Sequence, residues 1–261
     1  MITSRKISTR AGSVNVFEGG EGPDLLFLHA AGGVSADNPF LAALARSYHV
    51  CAPQLLGYGE SDDSDTIHDM LEVTLHTFDV LEKLGMSRPL LVGHSLGGMI
   101  AAEMAAVAPN DVDRMALICP AGLWLDAHPV PDIFTLLPRE FPEYMFHDAE
   151  AGRAMMAGAQ GGNMNDPAFL IPFLVNNARQ LGMAGKFLFP IPERGLKDRM
   201  YRIKAKTVLV WGASDRLFPA PYAHAWKEGI AGSELVIIPE AGHMVPVEKT
   251  EATLAAIGRL R

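Results

Sequence analysis

Long apolar runs are missing from this chain. No stretch approaches the ~18 consecutive apolar residues that a bilayer crossing needs. The opening MITSRKISTRAG has no apolar core of the kind a secretory leader carries. Cysteine is scarce as well, with Cys51 and Cys119 alone in 261 residues. Two cysteines exclude a disulfide-stapled scaffold, and no C-x-x-C spacing offers a metal site. Both lie in apolar, strand-like surroundings and read as buried free thiols in a reducing compartment. Blocks of one charge sign are absent, and the formal net charge is -8. A broad basic face for nucleic acid is thereby excluded. The glycine-rich GGEGPD at 19–24 lacks the spacing and the following helix of a phosphate loop. These absences predict a cytoplasmic protein with a small-molecule substrate, no cofactor, no metal, no nucleic acid and no membrane.

What is present is a core. Hydrophobic residues make up 49% of the chain, enough to fill one large α/β domain. Alternation over residues 3 to 18 predicts an opening hairpin. Short apolar runs at 25–29, 49–53, 89–93, 114–120, 206–212 and 234–239 read as buried strands. Helical spacing appears at 38–46, at 66–85 with Gly85 as its stop, from Ser95 to Ala108, and over 246–260. Apolar strands alternating with helices predict a mostly parallel, doubly wound sheet.

Residues 121–200 break this alternation. Nine of the 18 prolines fall between Pro120 and Pro192, and six of the 13 methionines between Met145 and Met200. Proline-rich segments do not make central strands, and methionine adapts to irregular apolar surfaces. The expected organisation is a core built from 1–120 and 201–261, with 121–200 inserted as a helical cap.

One segment stands out within the core. LLVGHSLGGMIA, at 90–101, places Gly-x-Ser-x-Gly between a strand and a helix. That is the pattern of a nucleophile elbow, where a serine sits on a tight turn crowded by backbone, so that its neighbours must be small. Gly93, Gly97 and Gly98 meet that need around Ser95. The helix that follows points its positive end at the place where an oxyanion would form.

Together with three further segments, this stretch resembles the α/β-hydrolase family, and the resemblance covers nearly the whole chain. LLFLHAAGG (25–33) is similar to the family's strand and oxyanion loop. APQLLGYGESD (52–62) is similar to its glycine-rich loop ending in Gly-x-Ser. VLVWGASDRLFP (208–219) and IIPEAGHMVPVE (237–248) are similar to the segments that carry acid and base. The family order of serine, acid and histidine implies Ser95 as nucleophile, Asp215 as acid and His243 as base. The resemblance also implies an oxyanion hole made by the backbone N–H groups of Leu96 and Ala31. Asp126, soon after the 114–120 strand, is a lower-ranked acid. Ala30 and Gln54 depart from the family pattern, which has glycine and aspartate there. They raise the question of strain in the first loop and of hydrogen bonding in the second.

Serine as nucleophile implies an ester, lactone, thioester or activated carbon–carbon bond as target. The expected function is hydrolysis of a carboxylic ester or lactone of a small, largely apolar substrate through an acyl-enzyme. HAAGGVSADNPF also resembles the loop of hydrolases that cleave carbon–carbon bonds in ring-fission products. Those usually have Asn before the nucleophile and Trp after the base, where this chain has His94 and Met244. They also hold a substrate carboxylate with a cap arginine, for which Arg153 and Arg179 are the candidates. Cofactor-free perhydrolase chemistry and a non-catalytic ligand-binding role remain as further alternatives. His94, Trp124, Met145 and Met244 are the expected pocket residues, with cap aromatics such as Phe134 and Phe189 around them.

Overall fold

The computed structural model describes residues 1–137, 139–159 and 166–261; Pro138 and 160–165, with Met164 among them, lie outside the described residues. A hairpin opens the chain, β1 (Thr3–Thr9) and β2 (Gly12–Gly19), followed by β3 (Asp24–Leu28). Then come α1 (Pro39–Leu44), β4 (His49–Pro53), α2 (Met70–Leu84), β5 (Leu90–His94), α3 (Leu96–Val107) and β6 (Arg114–Ile118). The inserted helical region carries α4 (Phe141–Met145), α5 (Ala149–Ala159) and α6 (Pro167–Leu188). The chain then completes β7 (Lys206–Gly212), α7 (Ala220–Gly229), β8 (Glu234–Ile238), α8 (Val245–Glu248) and α9 (Thr250–Ile257).

The strands form one eight-stranded sheet in the order β1-β2-β4-β3-β5-β6-β7-β8. β1 and β2 pair antiparallel, and β2 meets β4 antiparallel; every pairing from β4 through β8 is parallel. Central strands buried on both faces read as continuous apolar runs, which is why LLFL, LLVG and VLVWG were legible as strands. α3 runs through the centre of the fold with Leu96 to Ala106 buried, its small residues allowing close approach to the sheet. α2 is amphipathic. It starts at Met70 rather than 66 because the Asp69 side chain caps the Glu72 N–H at 2.9 Å, and it ends where Gly85 turns left-handed at φ 71°.

One expectation is corrected, and one helix comes without a sequence signal. The closing helix is divided, because Lys249 leaves helical geometry at φ -136°, ψ 56° between α8 and α9. α7, which periodicity alone does not reveal, packs Tyr222, Ala223 and Trp226 inward. The carboxyl ends of the parallel strands converge on one edge, and the segments after β5, β7 and β8 deliver Ser95, Asp215 and His243 there. Among the described residues, no helix is long and apolar enough to cross a membrane.

Candidate active site

Ser95 is held between β5 and α3 at φ 54°, ψ -113°. This is a sparsely populated conformation for a residue with a side chain, so surrounding structure must enforce it. Its N–H donates to the Ile118 carbonyl at 2.9 Å, and its own carbonyl accepts from Ala121 at 3.1 Å and Met99 at 3.0 Å. A Cβ on Gly97 would lie 2.0 Å from the Leu28 carbonyl oxygen, and one on Gly93 2.3 Å from that of Gly97. Backbone therefore touches backbone on both sides of the serine. Leu96 supplies the first N–H of α3, a position with no partner inside its own helix.

Asp215 and His243 form a buried pair. His243 donates Nδ1–H to Asp215 Oδ2 at 2.9 Å, with side chains 3% and 0% exposed. The other carboxylate oxygen, Oδ1, accepts the N–H groups of Leu217 at 2.9 Å and Phe218 at 2.8 Å. Asp215 is thus fixed by its own loop, and it fixes the imidazole tautomer in turn, leaving Nε2 as the ring's free nitrogen. Phe218 and His94 flank the ring, with centroids at 5.4 and 5.1 Å. The Cys119 sulfur lies within 4.8 Å of both partners. Burial pushes that thiol well above its usual range, so it stays protonated.

The other motif histidines are structural. His94 donates Nε2–H to the His243 carbonyl at 2.9 Å. Burial, with the neighbouring His243 adding to it, lowers its pKa to about 3. His29 donates Nδ1–H to the Ala30 carbonyl at 2.7 Å and accepts the Leu55 N–H at Nε2 at 3.1 Å; burial lowers it to about 4. Asp126 is exposed and accepts the Trp124 indole N–H at 2.9 Å.

Both departures from the family pattern are accommodated. Ala30 is not among the residues at positive φ; the turn is made instead by Gly33 at φ 82°, whose N–H donates to Ala30. Gln54 ties three segments together. Its Oε1 accepts from Asn15 Nδ2 and from the Glu60 N–H, both at 3.0 Å, and its Nε2 donates to the Val34 carbonyl at 2.9 Å. The amide thus joins β2, the loop of Ala31 and the glycine-rich loop.

Above Ser95 lies a cavity of about 40 Å³. Trp124, Val130, Ile133, Phe134, Leu188, Leu217 and Phe218 line it together with Pro131, Pro190 and Pro192. Among the described residues, Asp132 is the one charged residue of the lining. Trp124 is among the residues that line this cavity. His94, Met145 and Met244 are not part of the lining: His94 holds the His243 backbone, and Met244 donates its N–H to the Met145 carbonyl at 2.9 Å. Phe189 stands outside, edge-on to Phe134 at 5.9 Å. Arg153 is engaged by Glu143 at 2.9 Å and Glu150 at 2.5 Å. Arg179 is engaged by Asp63 and by the carbonyls of Gly59 and Ser61. Neither lines the cavity.

Glu18, His49 and Cys51 also bring ligand-type atoms within 4.8 Å of one another. There His49 is already shared between Glu18 and Asp24, each at 2.8 Å, and burial pushes the Cys51 thiol up to about 12. A metal would have to displace both ion pairs and a firmly bound proton.

Strand order, elbow and the Asp–His pair define the class. Residues 25–256 match the profile described as the Alpha/beta hydrolase family, and the chain belongs to that family. An uncharacterized protein of Mycobacterium tuberculosis is 28% identical over 241 residues, covering 86% of this chain and 71% of that protein. The meta-cleavage product hydrolase from Pseudomonas fluorescens IP01 superposes with a TM-score of 0.79 at 21% identity, over 97% of this chain and 96% of the other. Naproxen esterase from Bacillus subtilis superposes with a TM-score of 0.74 at 20% identity, over 99% and 91%.

Proposed function

We propose that this hydrolase cleaves a carboxylic ester or lactone of a small, uncharged, largely apolar substrate, using Ser95, His243 and Asp215. The observation that carries the reading is the buried His243–Asp215 pair at the sheet edge where a serine is held in a strained turn at a helix start. Nε2 of His243 takes the Ser95 proton as Oγ attacks the carbonyl carbon. The oxyanion is received by the N–H groups of Leu96 and Ala31, each donor contributing roughly a hundred- to thousandfold in rate. Collapse of the tetrahedral adduct breaks the ester bond, and the leaving alcohol takes the proton from His243. Water then attacks the acyl-enzyme by the same route. Asp215, which holds Nδ1–H, stabilises the imidazolium. The inserted region, 121–200, serves as the cap that supplies most of the pocket wall.

The lining supports the substrate class. A ring-fission product carries a carboxylate, which needs a cation beside it. The cavity offers Asp132 instead, and Arg153 and Arg179 are committed elsewhere. An uncharged acyl group meets no such penalty.

The test is hydrolysis of p-nitrophenyl esters from acetate to octanoate by the wild type and by Ser95→Ala. Turnover should be highest for the shortest acyl chains and fall at least about a thousandfold in the variant. Equal activity of both proteins would overturn the mechanism. No ester turnover by either, with cleavage of a vinylogous diketone by the wild type, would move the reaction to carbon–carbon bonds.

A further inference from the structure

Glu248 bridges two backbone N–H groups from distant parts of the chain. Oε2 accepts from Gly242, the residue before His243, at 2.7 Å. Oε1 accepts from His147, in the inserted region, at 2.8 Å. Neighbouring contacts extend the same seam. Met244, the residue after His243, donates to the Met145 carbonyl at 2.9 Å. His147 Nδ1 meets the Ser214 hydroxyl at 2.7 Å, one residue before Asp215. Arg216, one residue after it, donates to the carbonyls of Glu143 at 2.8 Å and Phe146 at 3.1 Å. A Cβ on Gly242 would stand 2.7 Å from the Met145 carbonyl oxygen and 2.9 Å from the His147 nitrogen. Residues 143–147 are therefore fastened on one side to the loop of Asp215 and on the other to the loop of His243.

These bonds bear on the histidine directly. Its backbone is held at three consecutive residues: Gly242 N–H by Glu248, the His243 carbonyl by His94, and Met244 N–H by Met145. The ring has one polar anchor, Asp215, and can pivot about it if the backbone shifts. Hydrogen bonds to a carboxylate are the strong ones in this set. Displacing a reacting group by about 1 Å costs on the order of a hundredfold in rate.

We propose that Glu248 is a positioning residue for His243, tying its loop to the 143–147 segment and so making that part of the inserted region a fixed piece of the catalytic frame. The proposal rests on the reading of His243 as the base. It assigns the inserted region two jobs: 143–147 aligns the histidine, while 130–134 and 188–192 cover the cavity.

Glu248→Gln and Glu248→Ala test it, with p-nitrophenyl acetate kinetics and proton NMR of the His243 Nδ1–H, which an imidazole–carboxylate bond shifts far downfield. Glu248→Gln keeps the volume but offers an amide NH2 to one of two N–H donors. It should lower kcat roughly 10- to 100-fold with KM within about twofold, and should broaden or shift the downfield resonance while the protein stays folded. Glu248→Ala should do more of the same. A merely structural role would lower Tm and leave kcat and the resonance of the folded fraction unchanged; that result, or kcat within about twofold of wild type in both variants, overturns the proposal. The resonance separates the two readings. If wild type shows no Ser95-dependent turnover, the triad reading fails, and the resonance alone still decides whether Glu248 holds the ring.

Discussion

Three histidines crowd the site, and burial assigns them different fates. His94 and His29 are held neutral, with pKa values lowered to about 3 and about 4. Neither exchanges protons near neutrality, so neither competes with His243, the proposed base. Their burial has a cost in acid. Below pH 6.5 the unfolded chain takes up protons that the folded protein refuses, so stability is intact above that pH. It falls as pH drops toward 4 for His29, by about 3 kcal/mol, and toward 3 for His94, by about 5 kcal/mol. Thermal unfolding followed from pH 7.5 to 4 should show this loss, and His94→Asn, which cannot be protonated, should flatten it. A curve unchanged by the substitution would mean that His94 does not control acid stability. At this scale the sequence was informative where a motif fixed a position, as for Ser95, Asp215 and His243, which the strand ends bring to one edge of the sheet. It marked Gln54 only as a departure and Cys119 only as a buried thiol, and it was silent on Glu248. Their roles depend on which backbone groups come to face them, and no local spacing encodes that.

Elements were legible where one period dominated. The central parallel strands announced themselves because both faces are buried, and α2 because its stripe repeats every three to four residues. α7 is hidden because prolines at 219 and 221 read as loop, although proline belongs in a first helical turn and Tyr222 and Trp226 stand one turn apart. The division between α8 and α9 is hidden for a related reason: apolar spacing continues across Lys249 while the backbone does not. Two glycines measure how element geometry decides tolerance. Gly97→Ala would drive a methyl to within 2.0 Å of the Leu28 carbonyl oxygen, backbone that cannot yield. Loss of soluble, active protein is expected. A methyl on Gly182, inside α6, would meet nothing within 4 Å, and Gly182→Ala should raise stability by about 0.5–1 kcal/mol by helix propensity. Soluble yield of Gly97→Ala checks the first statement and the denaturant midpoint of Gly182→Ala the second, which a destabilised variant would contradict.

Across the molecule, the insertion was legible as an interruption but not as a path. The stretch from Pro120 to Glu140 carries no long helix among the described residues, and its course over Ser95 is set by contacts from afar. Tyr222, on α7, accepts the Leu125 N–H at 3.1 Å and donates to the His128 carbonyl at 2.8 Å. That single hydroxyl pins the covering segment that leads to Val130 and Phe134. Tyr222→Phe should loosen it, lowering Tm by a few degrees, since one buried hydrogen bond is worth about 1 kcal/mol. The preferred ester should lengthen, with kcat/KM for octanoate rising relative to acetate. An unchanged chain-length profile would show that the cover is held by other contacts.

The bond from His94 to the His243 carbonyl spans 149 positions of sequence. The proposed nucleophile therefore emerges from the ribosome long before its base, and β8 must join the sheet edge before the two can meet. Activity then reports that β8 has docked. In a refolding experiment, ester turnover should lag the fluorescence of Trp211, buried in β7, and the delay between the two signals would time the docking of the final strand.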